Sequence, residues 1–316
     1  MIKWWFDKYR QGRASHRIRS FHQCQELVSQ GYDAKITNNL EDISADDIVI
    51  FQKDSTQESF NKLKNTGAKI GFDLCDNKFE EQPNYYDFCK QADFITVNSE
   101  IMKEVVKQEV GRNSYYYPDC VDRKIIPAVV RSVNKPVKLL WYGSSSSNKY
   151  VDWLAVTKLL ESSGIDYKLI LTMNKAEGIR GKIARNLSKN NPGFSMSKME
   201  NIEWSWDMQG KLVEECDVVF IPLLGQNERR TKTKSPNRVV DAIAQGRWVV
   251  TSPIPSYEQL KDFCWIGNPV DGIRYYLRNQ SEAVNKINKG QQWIQENVGP
   301  EACAKFLINI YNEVRK

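Results

Sequence analysis

The residues best suited to chemistry lie at positions 229–241, which read Arg-Arg-Thr-Lys-Thr-Lys-Ser-Pro-Asn-Arg-Val-Val-Asp. Ser235 is of a type that caps a helix, and Pro236 of a type that begins one. A helix starting here presents free N–H groups and the positive end of its dipole to an anion. Lys232 and Lys234 add formal charge beside it, which is what a diphosphate needs. Asp241 falls about one and a half turns into that helix, where a carboxylate can accept from the two hydroxyls of a ribose. An ordinary capped helix behind a solvated basic loop has the same spacing.

Three further stretches can contribute. Tyr142-Gly143-Ser144, followed by three more serines, Asn148 and Lys149, comes directly after an apolar run. Gly143 permits close backbone approach, and the N–H and hydroxyl groups from Ser144 onward suit phosphate oxygens. The spacing is neither that of a P-loop nor G-x-G-x-x-G. Asp73 and Asp76 end a strand-like run, and either is placed to orient an acceptor hydroxyl or take its proton. Gly12 and Arg13 stand at another strand end, with His16 just beyond, where they can reach a phosphate or an acceptor. His16 and His22 are six apart and fall on different faces of an α-helix, so no shared metal site is expected. Trp204 and Trp206 end a short run in the second half, near where a nucleobase would lie, with core packing the competing account of at least one of them.

The elements that must hold these residues follow from periodicity. Short apolar runs at 2–6, 32–36, 47–52, 69–74, 94–98 and 114–117 alternate with helical patterns at 15–30, 56–65, 83–91 and 99–109. The rhythm breaks at 118–136, which carries prolines 118, 127 and 136, and then restarts. Strands are expected at 137–142, 167–172, 202–204, 218–222 and 248–251. Helices are expected at 151–162, 179–188, 210–215 and 237–245, with 281–315 helical and broken at Gly299-Pro300. Short apolar strands alternating with helices imply parallel sheets covered on both faces. The expected fold is α/β: two doubly wound Rossmann-like domains facing across a cleft, with a C-terminal helix crossing back to the first. The expected bounds are 1–128 and 129–296, with 297–316 returning.

Composition narrows the classes of function. The chain has 316 residues, 41% hydrophobic and 27% charged, so it is not a largely disordered chain. No apolar run reaches the roughly 18 residues of a membrane span, and the first residues lack a secretory pattern. A cytoplasmic protein is expected. Seven cysteines without C-x-x-C and only two histidines argue against structural zinc and against a disulfide framework. Residues 1–128 carry 18 Lys/Arg and 20 Asp/Glu, and the remainder 27 and 19. An anionic ligand is therefore expected on the second half. Residues 1–20 run against this trend, with Lys3, Lys8, Arg10, Arg13, Arg17 and Arg19 against Asp7 alone; a solvated basic surface is the simplest account.

The second half resembles the donor domain of the glycosyl transferases group 1 type, the retaining family 4 enzymes with the GT-B fold. Residues 215–223, 234–246, 248–253 and 201–206 carry the resemblance. The first half is similar in layout around 15–19, 72–76 and 92–100. The resemblance implies a nucleotide-diphospho-sugar co-substrate, retention at the anomeric carbon, and neither a metal nor another cofactor. It places Lys234, Ser235 and Asn237 on the diphosphate with Gly143 and Ser144 facing it. Asp241 would sit on the ribose, and the backbone around Trp204 and Ser205 on the base. Lys234 and Arg13 would stabilise the leaving group. Thr233 occupies the position where the family carries its first glutamate, the one that contacts the donor sugar. The expected acceptor is a saccharide, a lipid-linked group or another hydroxyl, with an anionic membrane surface as a further expected partner. Two rival readings remain: a nucleic-acid-binding or DNA-modifying protein, and a catalytically silent nucleotide- or sugar-binding relative.

Overall fold

The computed structural model describes every residue except 53–54, 134, 145–150, 175–182, 184, 188, 192–193 and 224–230. The expected roles of Ser145, Ser146, Ser147, Lys149, Arg229 and Arg230, and most of the helix expected at 179–188, lie outside the described residues. Contacts divide the chain into two units. One comprises Met1–Asp122, Lys232–Asn237 and Trp293–Lys316, and the other Arg123–Thr231 and Arg238–Gln292.

In the first unit six strands form one parallel sheet in the order β2-β1-β3-β4-β5-β6. They are β1 (Ile2–Trp5), β2 (Ala34–Thr37), β3 (Ile48–Gln52), β4 (Lys69–Leu74), β5 (Phe94–Val97) and β6 (Tyr115–Tyr116). One face packs Trp5, Phe51 and Phe72 against Phe60 and Phe88, in a core closed by helices Gln57–Lys64 and Asn84–Gln91. On the other face the register sets Gln52, Asp73 and Thr96 side by side. That polar row, all buried, is covered by the first helical segment. Helix Pro300–Val314 packs against helix His22–Ser29.

The first helical segment departs from the expected regular helix capped by Ser15. Arg13 occupies the N-cap of Ala14–His16, so Ser15 lies inside the helix. A π-helical turn, Arg17–Phe21, then precedes His22–Ser29. Such a turn holds one residue more than an α-turn. Residues five apart then fall on one side, and here those are Arg17 and His22. Both reach Asp122: Arg17 Nε donates to its two carboxylate oxygens at 2.8 and 2.9 Å, and His22 Nε2 lies 2.7 Å from Oδ1.

In the second unit the order is β12-β11-β10-β7-β8-β9, again all parallel. The strands are β7 (Val137–Tyr142), β8 (Tyr167–Met173), β9 (Met199–Glu203), β10 (Val218–Ile221), β11 (Trp248–Thr251) and β12 (Trp265–Ile266). Read from β7, this is the classic dinucleotide-fold order. The chain runs outward through β8 and β9, then returns to the other side of β7 as β10. The switch point lies between β7 and β10, and in such sheets ligands bind beyond the carboxyl ends of the strands at that point. Gly246 ends helix Asn237–Ala244 with φ +71°, and a Cβ there would lie 2.6 Å from the carbonyl oxygen of Ile126. Among the described residues no helix is long and apolar enough to cross a membrane.

Candidate functional site

At the switch point of the second unit, β7 delivers Tyr142 and Gly143 beside Arg238, in the first turn of helix Asn237–Ala244. Tyr142 Oη donates to the Arg238 carbonyl at 2.8 Å, and Arg238 Nη1 donates to the Tyr142 carbonyl at 3.2 Å. The two bonds tie strand end to helix start. Burial pushes the Tyr142 hydroxyl well above its ordinary range, and the nearby charge of Asp241 pushes it further, while Arg238 opposes both. Tyr142 therefore stays a neutral donor. Asp241 is 7% exposed, so this helix places an acid in a largely dehydrated setting.

A side chain at Gly143 would have little room. A Cβ there would stand 3.0 and 3.1 Å from the Trp141 ring and 3.3 Å from Arg238 Nη1. Trp141 is fully buried. Ser144, which follows, is exposed. The structure thus brings together Gly143, Arg238 and Asp241. Arg238 is the residue that sequence reading passed over, because nothing in its type told it apart from the neighbouring basic residues.

The rest of the expected diphosphate segment, Lys232–Asn237, is grouped with the first unit. Thr233 is buried, Lys232 exposed, and Lys234 and Asn237 lie between. Ser235 Oγ accepts from the Asn237 N–H at 3.2 Å, which satisfies one of the free donors at the start of the helix.

The base-contacting expectation at Trp204 and Ser205 is narrowed. Ser205 Oγ accepts from the Met208 N–H at 3.1 Å as the N-cap of helix Trp206–Glu215. That helix starts a full turn earlier than expected. The Trp204 N–H donates to the Met173 carbonyl at 3.1 Å, and its indole N–H to Gln209 Oε1 at 2.8 Å. The Trp204 N–H and the Ser205 hydroxyl are thus already engaged within the unit. Trp206 is covered by Arg123, whose guanidinium carbon lies 3.2 Å from the ring centre.

In the first unit Asp73 is fully buried. It accepts from Arg19 Nε at 2.8 Å, Gln52 Nε2 at 2.8 Å and Thr96 Oγ1 at 2.7 Å. A carboxylate so engaged is an anchor for Arg19, and the acceptor-activating role expected for it gives way to that one. Arg19 also donates to the Tyr117 carbonyl at 2.7 Å and to Asp119 at 2.9 Å. Burial works against its charge, but Asp73 and Asp119 more than compensate and hold its pKa well above the ordinary arginine value. Asp76, two residues beyond the strand, is half-buried. His16 is fully buried: its Nδ1 accepts from the Arg10 N–H at 3.1 Å and its ring packs on Phe6 at 4.3 Å. Its surroundings are those of a core histidine. Gly12 is exposed and Arg13 half-exposed on the preceding loop.

The basic surface expected at residues 1–20 shrinks accordingly. Lys3 is buried against Asp47 at 2.7 Å, Arg19 is enclosed, and Arg17 is committed to Asp122. Among the described residues no group of three or more His, Cys, Asp or Glu side chains is arranged to hold a metal ion.

No family model matches the chain. A MATH and LRR domain-containing protein of Plasmodium falciparum is 26% identical over 152 residues, 45% of this chain but 1% of that protein. Solved structures give a fuller match. HepE of Anabaena, in complex with UDP, has a TM-score of 0.69 at 11% identity, covering 99% of both chains. A glycosyltransferase of Rickettsia africae has 0.65 at 11% identity, covering 100% of this chain and 98% of its own. TarM, known also from a Staphylococcus aureus complex with UDP, has 0.65 at 16% identity. There the match covers 85% of this chain and about half, 55%, of TarM. At such identities the likeness is one of fold. The two parallel α/β units are those of the GT-B architecture.

Proposed function

We propose that this chain is a glycosyltransferase that moves a sugar from a nucleotide diphosphate to an acceptor hydroxyl, with retention and without a metal or other cofactor. The observation that carries the reading is the convergence of Gly143, Arg238 and Asp241 at the β7/β10 switch point. In this reading Asp241 accepts from the ribose hydroxyls and the Trp204 ring stacks on the base. The backbone at Gly143 and Ser144, with Lys232, Lys234, Ser235 and Asn237, holds the diphosphate. Departure of a diphosphate builds negative charge, and fixed cations aimed at it are the largest available aid. Lys234 and Arg13 supply them. Asp76 orients the acceptor, a saccharide or lipid-linked hydroxyl. Seven free cysteines suit a reducing cytoplasm, where we place the reaction.

Thermal stabilisation by a panel of nucleoside diphosphates tests this. Uridine comes first, because HepE was solved with UDP and with UDP-glucose. A ligand at 100 times its dissociation constant adds about 2.7 kcal/mol. One nucleotide should stabilise the native chain and leave Asp241→Ala unmoved. No response to any nucleotide would sink the proposal. One observation favours a second reading, a silent relative that binds without transfer: Thr233, standing where the family has an acid, is buried at 6% exposure. It predicts nucleotide binding with no release of nucleotide from any donor sugar.

A further inference from the structure

At its switch point the second unit sets a cation among neutral groups. Arg238 is half-buried, and its guanidinium carries a full positive charge. Among the described residues it forms no ion pair. Its contacts are to uncharged oxygens: Nη1 donates to the Tyr142 carbonyl at 3.2 Å, and the Tyr257 hydroxyl lies beside it. Burial, joined at Tyr142 by the charge of Asp241, pushes both phenols up, and the charge of Arg238 opposes the rise without reversing it. Both therefore stay neutral, and neither supplies the negative partner that a charge withdrawn from water ordinarily keeps beside it.

The guanidinium also has donors to spare. It presents five N–H groups in a planar fork that matches phosphate oxygens, and the fold takes one from Nη1 for the Tyr142 carbonyl. Its place is the carboxyl end of β7, since a Cβ on Gly143 would stand 3.3 Å from Nη1. Asp241 follows three residues later in helix Asn237–Ala244, on the same side and about 4.5 Å further along the axis. A ribose held by Asp241 thus has Arg238 one turn nearer the helix start, the end whose dipole favours an anion. The other cations nearby are placed differently. Lys232 and Lys234 are grouped with the first unit. Arg123, which also acts on Tyr142, stacks on Trp206 and donates to its carbonyl at 2.9 Å.

We infer that Arg238 is the binding residue by which the second unit recognises a diphosphate, and so tells a nucleoside diphosphate from its nucleoside. As a nucleotide contact it rests on the proposed function; as an anion site it does not. The alternative is a clasp that only ties strand end to helix start, and the experiment separates the two.

Thermal-shift titrations of the full chain, native and Arg238→Gln, would compare a nucleoside with its mono- and diphosphate, uridine first because HepE was solved with UDP, and with inorganic pyrophosphate. Glutamine keeps a donor for the Tyr142 carbonyl and removes the charge. UDP and pyrophosphate should bind Arg238→Gln at least about tenfold more weakly than the native chain, UMP should lose less, and uridine should bind the two alike within about twofold. Arg238→Lys, which keeps the charge without the fork, should fall between. Uridine also reports that the pocket of the variant is folded. Equal losses for uridine and UDP would make Arg238 a clasp and overturn the inference. Unchanged UDP affinity in Arg238→Gln would overturn it while nucleotide binding stands. Pyrophosphate bound through Arg238, with no nucleotide of any base bound, would sink the nucleotide reading and keep the anion site. A native chain that binds neither would end both.

Discussion

Replacing Asp73 by asparagine separates anchoring from catalysis. The carboxylate accepts from Arg19, Gln52 and Thr96 inside the first unit, and Arg19 is 1% exposed. Asparagine keeps the shape but removes the charge and turns one acceptor into a donor facing donors. Breaking a buried ion pair from one side costs roughly 3–5 kcal/mol. Asp119 still holds Arg19 Nη1 at 2.9 Å, which puts the expectation at the lower end, about 3 kcal/mol. For a unit of this size each kcal/mol moves Tm by roughly 2–4 °C, so the first-unit transition should fall by about 6–12 °C. Circular dichroism melts of native chain, Asp73→Asn and Asp76→Asn measure it. Asp76→Asn, at a half-buried position that takes no part in the Asp73–Arg19 hydrogen bonds, should lower the transition by less than Asp73→Asn does. If Asp73→Asn melts like the native chain, the carboxylate is not the anchor described, and an acceptor-side role for it returns.

Gly143→Ala sets a Cβ 3.0 Å from the buried Trp141 ring and 3.3 Å from Arg238 Nη1, so one of them must shift and nucleotide affinity by calorimetry should drop about tenfold, or 1.4 kcal/mol. Gly246→Ala combines φ +71° with a 2.6 Å approach to the Ile126 carbonyl oxygen; left-handed strain and overpacking together should cost at least about 2 kcal/mol in urea melts. Burial pushes the Cys89, Cys216 and Cys264 thiols up to about 12 from 9.0. The folded state holds these protons more tightly, so their contribution is whole below pH 9 and is lost as pH rises from 9 toward 12. Native chain at pH 8 should therefore react with iodoacetamide at half-exposed Cys75 long before these three; equal rates would refute the burial.

Much of this fold could be read from apolar periodicity. The runs at 69–74, 137–142 and 248–251 coincide with β4, β7 and β11, because short apolar runs bounded by polar turns leave little freedom. The two-residue β12 and helix Pro269–Arg278 were not anticipated. Neither carries a long apolar stretch, and their place is set by packing, as where Gly272 lies under the Trp265 ring. The type of Gly143 agrees with its tight surroundings, since a Cβ there would stand 3.0 Å from the Trp141 ring. The identity of Asp73 was not informative: a strand-end aspartate reads the same whether it faces an acceptor or a buried arginine, and Arg19 is 54 residues away in sequence. The basic first twenty residues misled for the same reason, as their partners Asp47, Asp73 and Asp122 are remote in the chain.

The π-turn Arg17–Phe21 makes the region sensitive in an unusual way. Its extra residue turns Arg17 and His22 toward Asp122, while Arg19, within the turn, grips Tyr117 and Asp119. One turn thus holds both ends of the segment 117–122. Loss of a single residue there would restore an α-helix and rotate everything before it by about 100°. Arg17 would swing off Asp122, and the loop bearing Gly12 and Arg13 would turn with it. Point substitutions at the exposed loop positions leave that phase untouched, but a one-residue deletion does not. In a library of variants the exposed loop bearing Gly12 and Arg13 should therefore accept many exchanges of side chain, and the turn itself almost no change of length.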